Sequence, residues 1–178
     1  GHRKKAAQLE GSKKFTKEIC KKYDIPTAKF KTIDDEKSAL EYLKEQLFPI
    51  VIKADGLAAG KGVIIAESYK ESEKAVKEIF SGLFNDAGKE IVIEEFLIGE
   101  EVSYFIIADE DDFIELTSAQ DHKRIGVGDT GPNTGGMGAY SPAPLMNREL
   151  KEITVNKIIK PTLKAMKDLG CPYTGILY

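Results

Sequence analysis

A lysine and a run of small residues form the first stretch that could do chemistry. Lys53 directly follows residues 50–52, a β-branched run that predicts a buried strand. The segment 56–62 then contains three glycines, two alanines and Lys61. Glycines let backbone N–H groups approach an anion closely, and successive N–H groups can form an anion-binding nest. The stretch predicts either a phosphate-binding loop or a flexible hairpin with an exposed lysine.

The spacing of this loop differs from that of the Walker A motif, which has four residues between its glycines and Ser or Thr after its lysine. Here three residues separate Gly56 from Gly60, and Gly62 follows Lys61. The next four residues, 63–66, predict a strand rather than a helix. The arrangement is therefore strand, loop, strand.

A second stretch, residues 93–103, could hold a nucleotide base. An extended segment offers a backbone C=O and N–H at neighbouring positions, which can pair with the edge of an adenine. Phe96 and Leu97 would supply apolar walls, and a later carboxylate could accept hydrogen bonds from ribose hydroxyls. The alternative interpretation is an edge strand with exposed glutamates.

A third stretch combines cations with glycines. Lys123 and Arg124 suit phosphate or carboxylate recognition, and the glycine-rich segment 126–138 again offers backbone N–H groups. His122 is interpreted as a hydrogen-bonded surface residue rather than a catalyst. The sequence shows neither the Cys/His spacing of a metal site nor a Ser-His-Asp pattern.

Taken together, four segments resemble the phosphoribosylamine–glycine ligases, an ATP-grasp family of purine synthesis. These segments are 6–13, 52–62, 94–97 and 120–142. Within the last of them, residues 120–124 (Gln-Asp-His-Lys-Arg) and 132–142 (Pro-Asn-Thr-Gly-Gly-Met-Gly-Ala-Tyr-Ser-Pro) distinguish this family from other ATP-grasp enzymes. The resemblance covers nearly the whole chain.

The resemblance implies an α+β ATP-grasp fold in which two lobes with largely antiparallel sheets hold ATP between them. Residues 1–95 would form the lid lobe, and residues 96–178 the first part of an incomplete second lobe. Family members carry N-terminal and C-terminal domains beyond this region, so the chain is expected to be the ATP-binding portion and to be inactive alone.

The resemblance also implies roles for individual residues. The phosphates of ATP would meet Lys13, Lys53, Gly56, Gly60, Lys61 and Gly62. Adenine would meet Glu94, Glu95, Phe96 and Leu97, and ribose would meet Glu101. The catalytic group would comprise Lys123, Arg124 and Asp121, and the acceptor substrates would meet Asn133, Thr134, Gly135, Gly136 and Met137.

The implied reaction joins glycine to 5-phosphoribosylamine at the expense of ATP, with Mg²⁺ held by ligands outside this chain. One alternative hypothesis is another ATP-grasp carboxylate–amine ligase, such as a biotin carboxylase-like or a carbamoyl-phosphate synthetase-like enzyme. A nucleotide-binding module without catalysis and an interaction domain whose glycine loops are only turns also remain open.

Composition limits the possible partners. The chain has 178 residues and a net charge of −3, which argues against nucleic-acid binding through a basic surface. No apolar run reaches the roughly 18 residues of a membrane helix, and no signal peptide is recognisable. Cys20 and Cys171 are interpreted as idle thiols in a reducing cytoplasm.

The elements that position these residues follow from periodicity and caps. Ser12 is expected to cap a helix that begins at Lys13. The lysine-rich run is interpreted as a solvated helix face. Lys13 is the exception, because the positive potential at a helix start favours a bound anion. Further helices are predicted over 34–46 with Leu47 on the inner face, over 68–80, and from Asn147 with Ile153 in the core. Strands are predicted at 28–33, 91–93, 100–108 and 113–120, whereas 121–144 is expected to be largely irregular and the loops 56–62 and 126–138 to be mobile without nucleotide.

Overall fold

The chain divides into two compact units, each with its own sheet and helices. The computed structural model describes residues 5–56, 62–83, 89–122, 124–126, 130–133 and 138–178. One unit is Ala7–Ile98, and the other is Gly99–Tyr178 together with the N-terminal end of the chain up to Ala6. The expected mobility of the loops 56–62 and 126–138 concerns residues that lie mostly outside the described ones.

The described elements of the first unit are, in chain order, α1 (Gln8–Gly11), α2 (Lys13–Lys22), β1 (Phe30–Ile33), α3 (Glu36–Leu43), β2 (Ile50–Ala54), β3 (Val63–Ala66), α4 (Tyr69–Glu78), a π-helical turn (Ile79–Leu83) and β4 (Ile91–Glu95). These strands form an antiparallel sheet in the order β1-β4-β2-β3. Strands β2 and β3 are the two predicted on either side of the glycine loop, and β4 pairs with both β1 and β2.

Strand alternation gives this sheet two different faces. In β2 the burial pattern alternates, with Ile50, Ile52 and Ala54 fully inside, as expected for period-two side chains. These residues face the helical layer and form the core of the unit, together with Ile33, Ala39, Leu43, Ala66, Ala75, Val76, Ile79, Ile91 and Ile93. The opposite face therefore presents the residues in between, which include Lys53 and Glu94.

Helix α2 begins as the sequence predicts. Its N-cap is Ser12, whose side chain accepts a hydrogen bond from the N–H of Phe15 at 3.1 Å. The interpretation of the basic run as a solvated face is wrong at one position, because Lys17 is only 8% exposed. That lysine lies one helical turn beyond Lys13, on the same side of the helix.

The described strands of the second unit are β5 (Ile106–Asp109), β6 (Asp112–Glu115), β7 (Gln120–Asp121), β8 (Arg124–Gly126), β9 (Thr130–Asn133), β10 (Ala139–Tyr140) and β11 (Thr174–Leu177). Among the described residues they form small antiparallel sheets in the orders β11-β5-β6, β10-β7 and β8-β9. Its helical segments are α5 (Arg148–Thr154), a π-helical turn (Val155–Ile159) and α6 (Lys160–Asp168), which begins next to Pro161 as expected.

Several predicted elements differ from the structure. The strand expected over 100–108 is too long, because only its end forms β5, with a single bridge between Ser103 and Ala119 before it. The segment expected to be irregular, 121–144, contains short strand pairs, since glycine-rich sequences can still pair through their backbones. Leu47 and Ile153 are not core residues, with 91% and 41% of their surface exposed.

The overall class is nevertheless as predicted, α+β with antiparallel sheets. None of the helices among the described residues has both the length and the hydropathy that crossing a bilayer would require.

Candidate functional site

Lys53 and Glu94 form an ion pair on the face of the first sheet opposite the core. In the register of β2 and β4, Val51 lies opposite Glu94 and Lys53 lies opposite Val92, so the two charged residues are diagonal neighbours. Long side chains span such a diagonal, and Lys53 Nζ donates to Glu94 Oε2 at 2.9 Å. The side chain of Lys53 is partly accessible, with 27% of its surface exposed, whereas the side chain of Glu94 is only 6% exposed.

A second lysine reaches the same carboxylate from helix α2. Lys17 Nζ lies 3.3 Å from Glu94 Oε1, so Glu94 is shared by two ammonium groups. The contact with Oε1 is electrostatic, since this oxygen accepts no hydrogen bond from the described residues although it is buried. A buried carboxylate needs such compensation, because an unpaired charge in the interior is very unfavourable.

The start of helix α2 already holds an anion, the carboxylate of Asp55. Asp55 Oδ1 accepts the backbone N–H of Lys14 at 3.1 Å, and Ser12 Oγ lies 3.1 Å from Oδ2 and 3.3 Å from Oδ1. The sequence argument expected the positive potential at this helix start to favour a bound anion. In the structure a side chain of the protein occupies that position and ties α2 to the end of β2.

Lys13 lies beside this junction and at the beginning of the glycine loop. Its Nζ donates to the carbonyl oxygen of Gly56 at 2.9 Å, and Gly56 has a φ of 97°, a left-handed conformation that glycine adopts without strain. Burial lowers the pKa of the Lys13 ammonium; Asp55 opposes this shift, and the nearby Lys53 adds to it. A cation in this state gains from an added negative charge.

The local charges therefore favour an anionic ligand. Among the described residues, Lys13, Lys17 and Lys53 have two carboxylates as near neighbours, those of Glu94 and Asp55, at the base of the 56–62 loop. Gly62 closes that loop, where its carbonyl accepts the N–H of Ala54 at 2.8 Å. Gly60 and Lys61 lie outside the described residues. We refer to Lys13, Lys17, Lys53, Asp55 and Glu94 as the charge cluster.

The segment predicted to meet adenine continues from β4. The N–H of Glu95 donates to the carbonyl of Lys29 at 3.0 Å, and its Oε1 accepts the N–H of Lys29 at 2.8 Å. Phe96 and Leu97 follow without regular structure, and Leu97 is 64% exposed. The backbone N–H of Glu95 is therefore already paired within the first unit. Glu101 is exposed and belongs to the other unit.

The residues predicted to be catalytic lie in the second unit. Asp121 ends β7, where it pairs with Ala139 of β10. Next to it, the ring of His122 lies 5.0 Å from that of Tyr140. The backbones of Arg124 and Asn133 lie opposite each other in the β8–β9 pair.

Five of the residues predicted to be catalytic or to bind the acceptor substrates lie outside the described residues: Lys123, Thr134, Gly135, Gly136 and Met137. Among the residues that are described, no group of three or more His, Cys, Asp or Glu side chains is arranged to hold a metal ion. Both cysteines are free thiols, and burial raises the pKa of Cys20.

Sequence reasoning missed the contributions of Lys17, Thr27 and Asp55. Lys17 had a usable signal, its spacing of four residues from Lys13 on one helix. Asp55 had only its place in the motif, because its partners at the start of α2 are about 40 residues away in the chain. Thr27 accepts a hydrogen bond from Lys17 at 2.7 Å, a contact that no local pattern indicates.

Comparison with known proteins identifies the family. A family model described as phosphoribosylglycinamide synthetase, ATP-grasp (A) domain, matches residues 11–178. The phosphoribosylamine–glycine ligase of Arabidopsis thaliana, named chloroplastic, is 55% identical over 100% of this chain and 34% of its own length. The enzyme of the same name from Rhizobium meliloti is 55% identical over 97% of this chain and 41% of its own length. The chain thus spans about two fifths or less of these relatives.

Solved structures agree. The crystal structure of phosphoribosylamine–glycine ligase from Thermotoga maritima superposes with a TM-score of 0.89 at 38% identity, covering 99% of this chain and 45% of that one. D-alanyl-alanine synthetase A from Vibrio cholerae, at 13% identity, has a TM-score of 0.74 over 94% of this chain and 51% of its own, which shows a shared fold alone. The resemblance and the ATP-grasp fold predicted from the motifs are confirmed. The chain belongs to the phosphoribosylglycinamide synthetase family, and its residues 11–178 correspond to the family's ATP-grasp (A) domain.

Proposed function

We propose that the protein containing this chain ligates glycine to 5-phosphoribosylamine, with ATP converted to ADP and phosphate, in purine biosynthesis. The observation that carries this proposal is the 55% identity over the whole chain to a relative named phosphoribosylamine–glycine ligase. The charge cluster supports it, because it supplies the ammonium groups that a polyphosphate requires.

The proposed reaction proceeds in two steps. The carboxylate of glycine attacks the γ-phosphorus of ATP, which gives glycyl phosphate and releases ADP. The amine of 5-phosphoribosylamine then attacks the acyl carbon, and phosphate leaves with the formation of the amide bond and loss of a proton. In both steps negative charge changes place on phosphoryl oxygens, so fixed cations lower the barrier.

In this chain Lys13 and Lys53 would hold the phosphates, and residues 94–97 would hold adenine beside them. Residues 1–95 would act as the lid lobe and residues 96–178 as the start of the second lobe, where Glu101 would meet ribose. Lys123 would reach the terminal phosphates of ATP, and the acceptor substrates would meet Asp121, Arg124, Asn133 and residues 134–137.

Magnesium, which would neutralise phosphate charge, is assigned in this proposal to ligands in the remainder of the protein, as the family resemblance implies, and turnover is expected to require that remainder. A cytoplasmic location is part of the same proposal.

The experiment is an assay of ADP release by the full-length protein, with each substrate omitted in turn. Release that needs both glycine and 5-phosphoribosylamine supports the ligase. Release driven by bicarbonate instead would favour a biotin carboxylase-like enzyme, and ATP binding without any release would favour a nucleotide-binding module. Absence of nucleotide binding would point to an interaction domain.

A further inference from the structure

Lys17 is a buried lysine that the proposed reaction does not use. It lies in the second turn of α2 and is 8% exposed. Lysine is almost never buried unless its charge is paired, because moving an ammonium group out of water is costly. A buried lysine with defined partners therefore makes specific contacts inside the protein and does not belong to a solvated helix face.

Neutral groups hold the Lys17 ammonium in one place. Its Nζ donates to Thr27 Oγ1 at 2.7 Å and lies 3.5 Å from the carbonyl oxygen of Ala28. It also lies 5.6 Å from the centre of the Phe30 ring, within the range of a cation–π contact. These contacts come from residues 27 and 28 and from the first residue of β1, and β1 lies on the opposite side of β4 from β2, the strand that carries Lys53.

The remaining contact of Lys17 is with Glu94, whose other oxygen holds Lys53. Glu94 Oε1 accepts no hydrogen bond from the described residues, so the charge of Lys17 at 3.3 Å is what offsets the burial of that oxygen. The three side chains together carry one net positive charge. Without Lys17 they would carry none, and Lys53 would be the only cation that the structure shows paired to Glu94.

We propose that Lys17 is a positioning residue of the nucleotide site: by sharing Glu94, it leaves the Lys53 ammonium oriented and available for the phosphates of ATP. This inference rests on the proposed function. Lys17 itself touches no phosphate in this account. It acts through Glu94, whose two carboxylate oxygens contact Lys17 of α2 and Lys53 of β2.

The test is a double-mutant cycle on the full-length protein with calorimetric titration of ATP and of adenosine. Lys17→Met should raise the dissociation constant for ATP about tenfold, the size expected when one charge-assisted contact is weakened. Adenosine, which has no phosphate, should bind within about twofold of wild type. In the Glu94→Gln background, Lys17→Met should change ATP binding less than about twofold, because the shared carboxylate is gone.

The matched control is Lys21→Met, an exposed lysine one turn further along α2, which should leave ATP binding unchanged. A second variant protects the test against misfolding of Lys17→Met. Thr27→Val keeps every charge and removes only the acceptor that anchors Lys17, and it should weaken ATP binding about threefold.

Three results would overturn the positioning role. One is a Lys17→Met protein that binds ATP like Lys21→Met, and another is an equal loss of ATP and adenosine binding. The third applies if Lys17→Met does not fold, and it is an ATP affinity of Thr27→Val equal to that of the wild-type protein. If the wild-type protein neither binds ATP nor releases ADP, it is instead the proposed function that fails.

Discussion

Replacing Asp55 by alanine should loosen the start of helix α2. The carboxylate accepts the backbone N–H of Lys14 at 3.1 Å and lies within hydrogen-bond distance of Ser12 Oγ at 3.1 Å. A hydrogen bond to a charged acceptor is worth about 1.5–3 kcal/mol, and a negative charge at a helix N-terminus adds about 0.3–1 kcal/mol. Because the site is only partly buried, we take about 2 kcal/mol in total, at the lower end of these ranges.

The assay is native-state amide hydrogen exchange on the 178-residue chain, which reports local opening of one helix. A loss of about 2 kcal/mol corresponds to roughly 30-fold faster exchange of the α2 amides. Amides of α4 serve as the internal reference, since the hydrogen bonds that the structure shows for the Asp55 side chain go to Ser12 and Lys14 at the start of α2.

Two further variants sharpen the result. Asp55→Asn keeps an acceptor oxygen without the charge and should give an intermediate effect. Glu45→Ala removes an exposed carboxylate and should change exchange by less than the equivalent of about 0.5 kcal/mol. Exchange of α2 in Asp55→Ala at the wild-type rate would refute the conclusion that this carboxylate stabilises the helix start.

Two predictions concern pH. Because burial lowers the pKa of Lys13, the ATP affinity of the full-length protein should fall as pH rises through that lowered pKa. Calorimetry between about pH 7 and 10 should show that Lys13→Arg loses affinity only at a higher pH than wild type, since arginine stays charged. Identical pH profiles of the two proteins would contradict this. Burial raises the pKa of Glu115, but hydrogen bonds from Tyr104 and Lys151 outweigh it and hold the pKa below its usual value. Its contribution to stability is therefore full above the unfolded pKa of about 4.3 and is lost as pH falls through the folded pKa. Urea midpoints of wild type and Glu115→Gln should differ at neutral pH and converge in acid, and a constant difference would disprove the assignment.

Local chemistry explains which parts of the fold were predictable. The Ser12 cap, the β2–loop–β3 arrangement and the start of α6 near Pro161 each depend on residues close in sequence. The strand expected over 100–108 is shorter in the structure, because strand propensity does not guarantee a partner strand: Ser103 makes one bridge, Phe105 accepts one backbone hydrogen bond from Leu116, and the regular ladder covers 106–109.

The residues of the candidate site also differ in whether the sequence predicts them. Lys13 and Lys53 carried recognisable signals, a helix start and a strand end. The burial of Lys17 and the placement of Asp55 depend on contacts between elements brought together by folding, and no pattern along the chain records those contacts.

The central claim is that the charge cluster binds the phosphates of ATP through Lys53. The most direct test is calorimetric titration of the full-length protein with ATP and with GTP, for wild type, Lys53→Ala and the control Lys31→Ala, an exposed lysine of the same sheet. The account predicts that ATP binds in preference to GTP, at least about tenfold more weakly in Lys53→Ala and unchanged in Lys31→Ala. ATP binding that is equally strong in Lys53→Ala and wild type would contradict it.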